Sequence, residues 1–365
     1  MAAALGVAGC SPSLPVASPS SQPGPGIISP REAAAILGRT SATNNKANTT
    51  NDLSLLRTYE TGSALAIDGS QYNIASLAKL LGTKPSPNAP FTIRPLQVVV
   101  GDGSSYPAGF LAVGATDLEG SPKNAGSCPH ADTLLQYEKS SPGAAWRIDL
   151  EPSANGGSFV MLSTENGVAT PLTSAERAAA AGVPQRVAND LQNYEVSGRL
   201  GPFVAADFNG PCWAIPDPRK QLQQTEAAGL GGRELYQPAG ASVAYLIAAN
   251  RHSASPPKAA GPSVGKPAAG AVLVIFTLRF DNELFGTGQS PVDWTVQPAT
   301  DPVSVLLPAG HYSSVYERGD LELAAELQKD GRLSLLGEYS GVTSVKGVLA
   351  TASGPGGTLV AARMP

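Results

Sequence analysis

At 365 residues the chain is long for one domain and comfortable for two. Hydrophobic residues make up 42% and charged residues only 15%, as in a globular protein, while 40 glycines and 32 prolines stop short of wholesale disorder and belong in linkers and long loops. The formal net charge of −4 argues against a nucleic-acid binder, which needs a basic face to neutralise phosphates.

The chain opens on an apolar or small run that ends Leu5-Gly6-Val7-Ala8-Gly9-Cys10. This run resembles the lipobox of a bacterial lipoprotein. The resemblance implies that Cys10 is cut free, carries lipid such as palmitate, and tethers the protein to the extracytoplasmic face of the cell membrane. A complete signal starts with basic residues and has an apolar stretch of about 7–15 residues. Here Met1 to Ala4 carries no Lys or Arg, so residues 1–10 read as a signal clipped at its start. No window of about 18 apolar residues follows that would span a bilayer, and no polybasic run supports adhesion to anionic lipid. Residues 11–29 form a Ser/Pro/Gly-rich tether, punctuated by Pro15, Pro19, Pro23 and Pro25, that buries too little apolar surface to offset its chain entropy.

The first folded unit, residues 30–168, starts at Ser29-Pro30-Arg31-Glu32, with a capping serine, a proline at the first helical position and an acid in the first turn. Helix is expected through Leu37, then a polar stretch from Thr40 to Thr50. Asn51 or Asp52 then caps a second segment bearing Leu53, Leu56 and Tyr59, which Gly62 ends, and a short helix follows from Ile74 to Leu81. After the Pro85 and Pro87 loop the period changes. Phe91–Val100, Gly109–Thr116, Thr133–Glu138, Trp146–Glu151 and Ser158–Ser163 read as antiparallel strands.

Near Ala169-Thr170-Pro171 the pattern restarts, giving a second unit over residues 169–349. Thr173-Ser174-Ala175-Glu176 opens a helical region, Pro218–Ala228 is a further helix, and strands are expected at Ala241–Asn250, Ala271–Phe280, Thr295-Val296, Val303–Leu307, Leu321–Gln328 and Leu333–Tyr339. Leu321, Leu323, Ala325 and Leu327 alternate with Glu322, Glu326 and Gln328, and Lys329-Asp330-Gly331 is a hairpin turn signal. Residues 253–270 read as a flexible Pro/Ala/Gly loop and residues 350–365 as a flexible tail. The fold class is α+β: two tandem units, each with helices packed on a curved, mainly antiparallel sheet.

Asn189-Asp190-Leu191 with Tyr194-Glu195 and Gly198 echoes Asn51-Asp52-Leu53 with Tyr59-Glu60 and Gly62. Together with the lipobox and the Trp146-Arg147-Ile148-Asp149-Leu150-Glu151-Pro152 strand, this signature resembles a group of actinobacterial lipoproteins of unknown function with tandem cone-shaped domains of the nuclear-transport-factor-two-like kind. Cones of that kind bind apolar ligands, and in some an acid inside the cone transfers protons. The resemblance implies that Tyr59, Tyr72, Tyr137, Trp146, Tyr194, Trp213 and Trp294 face such a cavity; ordinary core positions explain them as well. Asp117 and Asp149 are the nearest candidates for a cone acid, and strand alternation equally puts both on the wet face.

Other chemistry is sparsely signalled. With Cys10 lipidated, Cys128 and Cys212 remain as an even pair in an oxidising compartment and are expected to bridge; two buried thiols are the alternative. His130, His252 and His311 are scattered, and Cys128-Pro129-His130 alone supplies too few ligands for zinc, so neither metal nor cofactor is expected. Gly101-Asp102-Gly103, Gly229 to Gly232 and Asp281-Asn282-Glu283 read as turns. The reading that fits best is a non-catalytic, lipid-anchored cell-envelope protein that binds a protein partner or a small apolar ligand. The alternatives are a cone-cavity isomerase or hydrolase and a purely structural envelope protein.

Overall fold

The computed structural model describes residues 27–83, 91–101, 105–118, 131–154, 161–202, 204–206, 217–248, 270–287, 291–295, 302–350 and 359–361. The fold is mixed α+β, with helices ahead of strands in both halves of the chain. Helix α1 (Pro30–Thr50) begins with a full capping box between Ser29 and Glu32. It runs straight through Thr40–Thr50, where the sequence predicted a break. The hydroxyls of Thr40, Ser41, Thr43, Thr49 and Thr50 each donate to the carbonyl four residues back, so a polar sequence stays helical with its side chains satisfied. Asn51 ends α1 in the left-handed conformation, and Asp52 caps the single turn α2 (Leu53–Leu56).

Gly62, expected to close a helix, instead opens α3 (Gly62–Leu80), which is far longer than the predicted Ile74–Leu81. The reason is tertiary. Ile148 N–H donates to the Tyr59 carbonyl and Thr61 N–H to the Ile148 carbonyl, so residues 59–61 lie extended beside a strand. The chain must then turn sharply into the helix, and Gly62 does so at φ +56°.

The first strand block comprises β1 (Phe91–Val100), β2 (Ala108–Leu118), β3 (Ala131–Lys139) and β4 (Arg147–Leu150), followed by the short β5 (Ser153–Ala154), β6 (Thr164–Glu165) and β7 (Val168–Ala169). Helices α4 (Ser174–Ala181), with a Thr173–Glu176 capping box, and α5 (Val183–Ser197), closed by Gly198, come next. After β8 (Val204–Ala205) and α6 (Pro218–Ala227), the second block is built from long strands: β9 (Leu230–Leu246), β10 (Val272–Gly286), β12 (Gly310–Leu327) and β13 (Leu333–Leu349), with the short β11 (Val292–Trp294) and β14 (Leu359–Ala361) beside them. Several expectations need correction: the strand expected at Thr295-Val296 is β11 at Val292–Trp294, and β10, β12 and β13 run well beyond the predicted Ala271–Phe280, Leu321–Gln328 and Leu333–Tyr339. β9 starts eleven residues before Ala241, and Val303–Leu307 is a 3-10 turn over Pro302–Leu306, held by Trp294 Nε1 donating to the Ser304 carbonyl at 3.1 Å. The hairpin at Lys329-Asp330-Gly331 forms as expected, with Gly331 at φ +84°.

The two antiparallel blocks join through β5, which pairs with both β3 and β13, in the order β6-β7-β1-β2-β3-β5-β13-β12-β10-β9. The ends of this order also meet. Leu162 bridges Ile247, Ser163 N–H donates to the Leu246 carbonyl and Ala248 N–H to the Met161 carbonyl. Gln97 on β1 holds the same strap from the other side, its amide donating to the Leu162 carbonyl (2.9 Å) and accepting from Leu162 N–H (2.8 Å). The strands therefore close into a ring.

Strand alternation sorts the side chains around this ring. On β2, Phe110 and Ala112 point to the core beneath α1–α3, whereas Leu111 and Val113 point inward to join Val99, Leu134, Leu273 and Ile275. A second helix-covered core lies outside β10 and β12 under α4 and α5, around Val187, Leu191, Phe276 and Leu323. A fourth cluster, with Ile74, Trp294, Leu307 and Tyr312, fills the far end of the long strands against α3.

Candidate functional site

Between the inner core and the α3 end of the long strands lies a layer of acids. Glu60 comes from the extended segment before α3, Asp68 from α3, Glu151 from the end of β4 and Glu322 from the middle of β12. Glu60 and Glu322 have no exposed surface, and Asp68 is 8% exposed. Ser63 Oγ donates to Glu322 Oε1 at 2.6 Å and lies 2.8 Å from Thr277 Oγ1, while the Glu151 amide donates to Glu322 Oε2. The Tyr339 hydroxyl donates to Asp68, and Gln71 in turn donates to Tyr339. Neither carboxyl oxygen of Glu60 has a hydrogen-bond partner among the described residues.

Burial dominates the electrostatics. Desolvation, then repulsion from Asp68 and Glu322, pushes Glu60 up to about 10. Desolvation lifts Asp68 to about 6 against the opposing bond from Tyr339, and Glu322 to about 8 against the bonds from Ser63 and Glu151. Glu151 rises well above the usual carboxylate range, again through burial first and its acidic neighbours second. Glu60, Glu151 and Glu322 are therefore largely uncharged at neutral pH, because ionised carboxylates are too costly to bury, whereas Asp68 at about 6 is largely ionised there. Such groups can share and store protons. Sealed as Glu60 and Glu322 are, they offer no atom to a substrate in this conformation.

A second, smaller acidic group lies under α5 and α6. Glu195 accepts from Glu234 N–H at 3.1 Å, and burial, opposed by a bond with Tyr236, lifts Glu234 to about 7. A shallow cleft with a cavity volume of only about 20 Å³ opens beside them between Gln221, Thr225, Arg233 and Asn282. That is room for about one water and far below a typical small-molecule site of roughly 300–1,000 Å³.

Residues 25–208 match a protein family described as a domain of unknown function, DUF8094. The chain belongs to this family. No curated protein matches it. The DUF8094 match takes in Glu60, Asp68 and Glu151 but stops before Glu322 and Tyr339. The acidic layer is thus assembled from the DUF8094 region and from the long strands beyond it.

The positions singled out in the DUF8094 sequence distribute as follows. Cys10, Cys128, Cys212, His130, His252 and Trp213 lie outside the described residues, as do Asp102 and Gly103. His311 sits exposed on β12, 3.6 Å from the equally exposed Asp293. No group of acids, histidines and cysteines among the described residues has the geometry to hold a metal ion, and no helix there is long and apolar enough to cross a membrane. Asp117 is on β2, with its side chain outside the described set. Asp149 packs against Gly62, is raised by burial and by Glu138, and meets the hydrogen bonds of the acidic layer through its backbone carbonyl, 3.3 Å from Ser63 Oγ.

The aromatic residues divide among separate cores. Tyr59, Tyr72, Tyr137 and Trp146 sit under α1–α3, where Tyr59 and Tyr72 donate to the buried amides of Asn44 and Asn48, and Phe110 stacks on Tyr137 at 4.4 Å. Trp294 is in the far-end cluster, and the Tyr194 hydroxyl donates to Asp217. Asp281-Asn282-Glu283 is mid-strand on β10 instead of a turn, with Asp281 and Glu283 in cross-strand ion pairs. Gly231 and Gly232 are strand residues as well; a side chain at Gly231 would collide with Phe285, and one at Gly232 would sit tightly against Leu222 and Thr225. Sequence reasoning missed the acidic layer. The available signal was Glu322 and Glu326, which alternate regularly with leucines yet are both buried; a strand covered on both faces cannot be told from a half-wet one by alternation alone.

Proposed function

We propose that this is a non-catalytic, lipid-anchored cell-envelope protein that presents a rigid closed body to a protein partner at the extracytoplasmic face of the membrane. The observation that carries the non-catalytic reading is the burial of the acids: Glu60 and Glu322 expose no surface. A cone-cavity isomerase or hydrolase needs a raised-pKa carboxyl that a substrate can reach. Filled cores on both faces of the strands likewise favour a partner at the surface over an apolar ligand inside. The anchor rests on Leu5-Gly6-Val7-Ala8-Gly9-Cys10 and the tether over 11–29. The kinship with actinobacterial lipoproteins of tandem cone-shaped domains rests on the same residues and on the Tyr59-Glu60 and Trp146–Pro152 motifs.

The test is expression with an alkyne-tagged fatty acid, followed by membrane fractionation. Wild type is expected to take up the label and pellet with membranes, whereas Cys10→Ser is unlabelled and soluble. Identical labelling and fractionation of the two proteins would remove the anchor. Native mass spectrometry of the protein lacking residues 1–10 separates partner from ligand, since a persistent added mass of a few hundred daltons would mean a bound small molecule.

A further inference from the structure

We propose that the buried carboxyl layer is a proton-operated latch: it clamps α3 and residues 59–61 against β4, β12 and β13 while protonated, and releases them as the protons leave. This inference stands independently of membrane anchoring.

The geometry places the acids at the joint itself. Glu60 and Asp68 belong to the helical side and Glu151 and Glu322 to the sheet side; Ser63 donates to Glu322 and Tyr339 to Asp68 across the joint, bonds that favour the ionised carboxyls and only partly offset the cost of burying them. α3 also meets the strands through apolar and backbone contacts, with Ala64 and Tyr72 in the core under α1–α3 and Ile74 in the far-end cluster. Gly341 lets Ile67 approach the β13 backbone, and Ser70 Oγ donates to the Val342 carbonyl. The titratable groups facing the layer are Tyr59 from the extended segment, Tyr72 from α3, Tyr137 from β3, Asp149 from β4 and Tyr339 from β13. Among the described residues, the charges that weigh most on the four carboxyls are one another and Asp149, all of them acidic. Glu60 is the extreme case, since its two oxygens have neither partner nor solvent. As a neutral acid it is tolerated there, but as an anion it has nothing to compensate its lost hydration.

The direction follows from linkage. Every carboxyl in the layer has a folded pKa above its unfolded value, so the folded joint holds more protons than the open one. Its stability is complete in acid, below the ordinary carboxylate range, and is lost as pH rises through about 6 for Asp68, about 8 for Glu322 and about 10 for Glu60. This is opposite to ordinary acid denaturation, where paired carboxylates fail as pH falls.

The test is amide hydrogen exchange on the full chain between pH 5 and pH 9, corrected for intrinsic exchange rates. Protection of α3 in wild type is expected to fall by about tenfold or more across this range. In Glu60→Gln and Glu322→Gln the fall is expected to be shallower. Protection of α5, which sits on its own acidic pair, should be the same in the variants as in wild type at each pH. Flat α3 protection in wild type, or an undiminished fall in both variants, overturns the latch. Should the variants fail to fold, infrared spectroscopy of wild type decides. Protonated-carboxyl absorption is expected at neutral pH and should fade as α3 protection falls; its absence at pH 7 overturns the proposal.

Discussion

Gly62 shows how a single residue can carry the geometry of the site. It sits at φ +56°, and a methyl group added there would meet the Asp149 carboxyl. Two costs follow for Gly62→Ala: about 1–2 kcal/mol for holding a side-chain-bearing residue in the left-handed region, and a steric conflict that Asp149 must relieve by moving. Gly62→Ala is therefore expected to lower stability by about 2 kcal/mol or more in urea denaturation. Adding Asp149→Ala should return only the steric part. A fully additive double variant would show that Gly62 and Asp149 do not meet. The same scale explains the asparagines of α1. Asn44 and Asn48 are buried in a helix with no charged partner, and the hydroxyls of Tyr59 and Tyr72 satisfy them. Nothing in the local sequence announces those pairings, because the partners lie 15 and 24 residues away.

At the scale of the element, β10 reads differently along one face. Leu273 and Ile275 point into the inner core, Thr277 into the acidic layer, and Arg279, Asp281 and Glu283 into a row of cross-strand ion pairs with Asp320, Arg318 and Arg233. Each pair sits directly opposite in register. Arg318 and Arg233 are more than half exposed, so their pairs are worth at most about 1 kcal/mol each and are screened by salt, whereas Asp320, opposite Arg279, is buried. Asp281→Ala is expected to cost less than about 1 kcal/mol in low salt and almost nothing in 1 M salt; a larger, salt-independent loss would mean that Asp281 has a structural role beyond its pair with Arg318. This strand also marks how far the sequence can be read. The capping boxes at Ser29 and Thr173, the strand Phe91–Val100, the leucine-alternating end of β12 and the turn at Gly331 are local signals and appear where local chemistry requires, although β12 begins at Gly310, well before the predicted Leu321. What could not be read is set by covering layers. The helical course of Thr40–Thr50, the extension of β9 back to Leu230 and the burial of Glu322 all depend on contacts from distant segments. Asp281-Asn282-Glu283 looked like a turn because its charges are solvated, as they are, but on a strand whose other end is core.

For the whole molecule, the closure of the ring decides how the two halves of the chain share stability. The inner core takes Val99, Leu111, Val113 and Leu134 from the first half and Tyr245, Leu273, Ile275 and Leu336 from the second. Tyr245 reaches across it to donate to Gln136 at 2.7 Å. Neither half can bury these side chains alone, and separating the halves would expose both sets to water at a cost of roughly 1.5–3 kcal/mol per large apolar residue. A chain of this length commonly unfolds in several steps when its domains are independent. Here a single transition is expected. Trp146 reports on the first half and Trp294 on the second, and they can be followed separately by fluorescence in Trp213→Phe/Trp294→Phe and Trp146→Phe/Trp213→Phe double-variant backgrounds. Their urea midpoints should coincide. Gln97→Leu removes both bonds that β1 makes to the Leu162 strap, so it should lower the two midpoints together. Separated midpoints in the wild-type ring, or a Gln97→Leu shift confined to the Trp146 signal, would mean that the halves are joined by strand pairing without sharing a core energetically. In that case the acidic layer between them would be a contact surface and not part of one cooperative unit.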